Sequence, residues 1–182
     1  MGGFESSCHR LANGRRLDMI QATRHAEFAE QDYARLRAMG MTACRDGVNW
    51  ITCERRCEYD FSGVLPRLQA ARRQQVQIIW DLMHFGWPDS IDVFSTRFVD
   101  RFARYAGAFA AFLSAETDQL PMLAVINEIS YLAWAAADVG CLFPFELARG
   151  VELKVQLVRA CIAASKPSVP LRPAPASFSR IR

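Results

Sequence analysis

The residues best placed to do chemistry are polar side chains that directly follow short apolar runs. The run at 121–126 ends in Asn127-Glu128-Ile129-Ser130, an amide beside a carboxyl. The run at 76–82 carries Asp81 and leads to His84, shortly before Trp87 and Pro88. A third run, 41–44, is followed by Arg45 and Asp46, with Trp50 five residues after the arginine. Glu5 falls at the end of the first run, 2–6. Carboxyls, an imidazole, an amide and a guanidinium are the groups of proton transfer and hydroxyl binding. Trp50, Trp87 and Trp134 follow in the adjoining loops, where a flat face could stack on the apolar side of a sugar ring.

Such residues act together only if the chain brings the ends of the runs to one place. Short apolar runs alternate with longer amphipathic stretches, the pattern of βα units around a parallel sheet, and four units can be counted. A helix is expected over 26–39, with Phe28, Tyr33, Leu36 and Met39 on its apolar face and Gly40 ending it. A second, over 61–75, repeats Leu65, Leu68 and Ala71 on one face. The run 76–82 is the clearest strand, being β-branched and too short for a stable helix. Ser95 should cap a helix whose stripe of Phe98, Phe102, Tyr105, Phe109 and Phe112 packs on the sheet. A fourth helix is expected over 146–165. In parallel βα architectures every strand C-terminus points to the same face. That rule gathers Glu5, Arg45, Asp46, Asp81, His84, Asn127 and Glu128 at one mouth.

These motifs resemble the family-1 glycoside hydrolases, the β-glucosidase-like enzymes. Val125-Ile126-Asn127-Glu128 is similar to the family's strand-four end, with Ile129 where proline is usual. Trp80-Asp81-Leu82-Met83-His84-Phe85-Gly86-Trp87-Pro88 is similar to its strand-three segment, and Arg45-Asp46-Gly47-Val48-Asn49-Trp50 to its strand-two segment. The resemblance implies an α/β fold, a partial (β/α)8 TIM barrel of about four βα units. It implies Glu128 as catalytic acid/base in the hydrolysis of O-glycosidic bonds. It also implies that Asn127, His84, Arg45 and Trp87 bind a β-glycoside, with no metal and no cofactor. In the family the nucleophilic carboxylate follows strand seven. No residue here takes that role, and Glu5 and Asp81 do not match its motif. The isolated chain is therefore expected to be inactive, and a catalytically silent sugar-binding half-barrel is the alternative reading.

Composition limits the other possibilities. With 182 residues, 51% hydrophobic and 23% charged, the chain has the balance of a globular domain. The formal charge of +3 comes from scattered arginines, which argues against nucleic acid. No stretch approaches the roughly 18 apolar residues of a membrane span. The six cysteines read as reduced thiols, and with no secretory signal a cytoplasmic location is expected. Residues 1–166 are expected to form the half-barrel, and 167–182 a disordered Pro/Arg-rich tail of the kind a shifted reading frame yields. Half a barrel leaves two open sheet edges, through which a homodimer could form.

Overall fold

The computed structural model describes residues 1–55 and 58–166; the expected tail lies outside them. The elements are β1 (Gly2–Gly3), β2 (Cys8–Arg10), β3 (Arg16–Asp18), α1 (Met19–Ala22) and α2 (His25–Ala38). Then come β4 (Ala43–Gly47), α3 (Trp50–Cys53), β5 (Glu54–Arg55), β6 (Glu58–Tyr59) and α4 (Leu65–Arg73). β7 (Gln77–Asp81), α5 (Thr96–Glu116), β8 (Met122–Ala124), α6 (Ile129–Ala137) and α7 (Gly150–Ala164) follow. β1, β4, β7 and β8 form one parallel four-stranded sheet in that order, with helices outside it. This is the α/β architecture of an unclosed barrel.

The strands use both faces, and the side-chain alternation of period two decides what each residue does. On β4, Arg45 reaches across the concave face to Asp81 and Asn127. Asp46, its neighbour, points the opposite way into the helix layer and is fully buried. There it accepts hydrogen bonds from Arg67, His25 and Tyr33, which tie α4 and α2 to the back of the strand. The expectation that Asp46 joins the mouth is thus corrected: one residue of register sends it to the other side.

The aromatic stripe of α5 forms the core as expected. Phe98, Phe102, Tyr105 and Phe109 are buried, Phe112 is only partly buried and Leu113 is buried in its place, with Trp50 stacked on Tyr105 at 5.3 Å and Phe109 set edge-on to Trp80 at 5.7 Å. Each such ring contributes about 1.5–3 kcal/mol through burial. Tyr105 adds a polar function, because its hydroxyl sits 3.2 Å from both the Val48 and the Leu82 carbonyl oxygens and so bridges the chain beyond β4 and β7. Ser95 stands at the N-cap of α5, but its hydroxyl donates to the Asp92 carbonyl at 2.6 Å instead of capping the helix.

Three local expectations change. On α2 the buried face is His25, Ala29 and Tyr33, while Phe28 and Met39 are exposed. The polar segment from His9 to Asp18, which reads as a loop in the sequence, is part of an antiparallel hairpin, β2–β3. Residues 129–137, expected as loop, form α6. That helix is alanine-rich and apolar all round, so it carries no amphipathic signal. Trp134 accordingly sits on a helix, not in a loop, with half its surface exposed.

Candidate active site

The concave face brings Ser6, Arg45, Asp81, His84 and Asn127 into one hydrogen-bonded set at the strand C-termini. Arg45 Nη2 donates to Asp81 and, at 2.8 Å, to Asn127 Oδ1. An arginine can only donate, so the amide oxygen of Asn127 faces Arg45 and its nitrogen faces away. That nitrogen lies 3.0 Å from His84 Nε2, which therefore accepts. The remaining proton of a neutral His84 is then on Nδ1, 3.2 Å from Ser6 Oγ. One guanidinium in this way sets the amide orientation and the histidine tautomer.

Small residues make the approach possible. A Cβ on Gly47 would stand 2.2 Å from both Cβ and Oγ of Ser6, so the absence of a side chain at the end of β4 is what lets Ser6 come beneath His84. A Cβ on Gly86 would meet the Cys8 carbonyl oxygen at 1.6 Å, where the backbone of Cys8 bonds back to His84 O at 3.1 Å. The loop after β7 is thereby clamped to the start of β2.

Burial and charge tune the groups. Burial pushes the Asp81 carboxyl up to about 6, against the pull of the Arg45 guanidinium, and its Oδ1 has no partner among the described residues. Burial, aided by Arg45, holds His84 below the usual histidine value although Glu5 and Glu128 pull upward. For Glu5, burial raises the carboxyl, but hydrogen bonds from Ser7 and the nearby His84 outweigh it and leave the group below its ordinary value. Glu5 Oε1 stands 3.6 Å from His84 Nε2, beyond hydrogen-bond range.

Glu128 directly follows Asn127, at the N-cap of α6, with φ 43° and ψ 56°. This left-handed conformation is uncommon for a glutamate. Asn127 is buried in the network while Glu128 is exposed, and no hydrogen bond to its carboxylate is made among the described residues. An aromatic ridge runs beside it. Phe85 lies edge-on to His84 at 4.6 Å, Tyr131 is 5.5 Å from Phe85, and Trp134 is 5.9 Å from Tyr131. Tyr131 and Trp134 are about half exposed, at 47% and 50%.

Of the residues singled out from sequence, Arg45, His84 and Asn127 meet in one network, and Glu128 stands next to it. Trp87 lies outside the set. It is 1% exposed, its ring rests against Phe98 and Phe143, and it lines a side cavity of about 360 Å3. Ser6, Phe85 and Tyr131 were not recognised from sequence. Tyr131, three residues after Glu128, would have been found had the segment been read as a helix. No group of three or more His, Cys, Asp or Glu side chains suited to a metal occurs among the described residues.

The parallel sheet, its outer helices and a polar set at the strand C-termini define an α/β chain of barrel type. Solved structures with this arrangement include family-1 glycosidases. A rice β-glucosidase superposes with a TM-score of 0.72 at 17% identity, over 85% of this chain and 36% of that one. A family-1 β-glucosidase from Thermotoga maritima gives 0.66 at 16%, over 77% and 33%. A β-glycosidase from Pyrococcus horikoshii gives 0.67 at 15%, over 77% and 34%. The chain thus spans about a third of the length of these structures and shares their fold. No protein-family model and no curated protein matches it.

Proposed function

We propose that this chain carries a glycoside-binding half-site of β-glucosidase type, in which Glu128 stands in the acid/base position beside the glycosidic oxygen and Asn127, His84 and Arg45 hold the sugar. The observation that supports this most is the pairing of an unpartnered, projecting Glu128 with an Asn127 held rigid by Arg45 and His84. Hydroxyls of a sugar would meet the amide and imidazole, and the exposed ridge of Tyr131 and Trp134 offers a stacking surface. Glycosidic hydrolysis needs a second carboxylate roughly 5 Å away for retention, or about 6.5–9.5 Å for inversion. Of the nearby carboxyls, Asp81 is occupied by Arg45, and Glu5 is tied to the Ser7 backbone N–H at 2.9 Å. The half-site therefore binds sugar without turning it over. A cytoplasmic location fits the five free thiols among the described cysteines.

The test pairs binding with turnover. Titration with a non-hydrolysable glucoside analogue should give saturable binding that Asn127→Ala weakens at least tenfold, with the melting temperature little changed. Absence of binding, or binding indifferent to Asn127, overturns the reading. Hydrolysis of an aryl β-glucoside well above background and lost in Glu128→Gln would overturn the claim of inactivity.

A further inference from the structure

Besides the ridge at the mouth, exposed apolar side chains occur on both outer strands' sides of the sheet. β8 pairs only with β7 among the described residues, and beside its free edge Leu120 and Met122 are exposed. In the helix layer, α7 packs against α5 and α6, yet Val151, Val155, Val158 and Ile162 remain exposed. Their spacing of four, three and four puts them on one face of the helix, so this is a continuous stripe. At the opposite end β1 pairs only with β4 among the described residues, and Met1, Phe28 on α2 and Met39 at its C-cap are exposed. Phe28 and Met39 are eleven residues apart and share a helix face. Sheet edge and outer helix are therefore open together at both ends.

We infer that the occupant of these surfaces is a second copy of this chain, related by a two-fold axis parallel to the strands. Such an axis preserves strand direction, so β8 of one copy meets β1 of the other in the parallel sense the sheet already has. The same rotation sets the α7 stripe against the partner's Phe28 and Met39, and it satisfies both ends at once in an isologous, closed contact. Two four-stranded sheets joined in this way make an eight-stranded ring, the strand number of a closed (β/α)8 barrel. The contact also places the two copies of Glu128 around one mouth. This inference rests on the fold and the exposed stripe. It does not depend on the mouth binding a sugar.

Light scattering coupled to size exclusion at micromolar concentration tests it. The chain should run at twice its 20.5 kDa mass. Val155→Glu and Ile162→Glu, at two points of the stripe, should each weaken the dimer at least tenfold. Gln69→Glu, on the exposed side of α4 in the middle of the half-barrel, should leave it intact. A monodisperse monomer, a dimer indifferent to both stripe variants, or open-ended growth instead of a discrete dimer would each overturn the proposal.

Discussion

Asn127 donates to His84, and the direction of that bond is decided by a third residue. Arg45 occupies the amide oxygen at 2.8 Å, which leaves only the amide nitrogen for His84 Nε2 at 3.0 Å. The imidazole is kept neutral and protonated on Nδ1. The three histidines should therefore separate in an NMR titration, with His84 and His9 below the ordinary value of 6.5 and His25 above it. Burial dominates the first two. For His25, bonds to Asp46 and Asp32 outweigh burial. The stability linked to His84 is present above pH 6.5 and is lost as pH falls, whereas that linked to His25 is present below 6.5 and is lost as pH rises through its folded value. In Asn127→Asp the new carboxylate cannot donate to Nε2, and the His84 titration should move upward. An unchanged His84 titration in that variant would refute the bond direction.

Asp81 makes a second pH prediction. Its carboxyl is raised from 3.8 to about 6, so its contribution is whole below about pH 4 and is lost as pH rises through about 6. The loss is at most about 3 kcal/mol. Denaturant melts of the wild type and Asp81→Asn should diverge across this window, with the wild type losing stability relative to the variant as pH rises. Parallel pH profiles would show that Asp81 does not titrate there.

Gly47→Ala should disrupt the site from outside it. The added methyl would stand 2.2 Å from Ser6 Oγ, so either the β4 end or Ser6 must shift. We expect a loss of about 1–3 kcal/mol. The His84 Nδ1–H should also exchange faster with solvent as its bond to Ser6 is lost. Ser6→Gly in the same chain should restore most of the stability, because it removes the colliding atoms.

Glu128→Gly should raise stability. The left-handed backbone at Glu128 costs about 1 kcal/mol that glycine does not incur. Thermal or denaturant unfolding would measure it, and a clear decrease would mean that the carboxylate makes a stabilising contact the fold depends on.

Tyr105→Phe should cost about 1 kcal/mol, since only the hydroxyl shared by the Val48 and Leu82 carbonyls is removed from an otherwise intact core. A neutral result in chemical denaturation would assign those carbonyls no need of the bridge.

The sequence by itself determined the alternation of strands and helices, the aromatic core of α5, and the gathering of Arg45, His84, Asn127 and Glu128 at strand ends. These follow from periodicity and from the rule that parallel strands end on one face, both of which are local or topological. Tertiary structure decided what one residue of register or one step of helix rotation can reverse. Asp46 went to the helix layer while its neighbour Arg45 faced the mouth, and the buried face of α2 turned from Phe28 to Ala29. Ser6 entered the site only because Gly47 leaves room for it from a different strand. Trp87 was drawn into packing with Phe98 and Phe143, while Trp134 was left exposed on a helix too uniformly apolar to be read. Contacts between distant segments settle such choices by a few kcal/mol of packing and hydrogen bonding, and no local pattern records them.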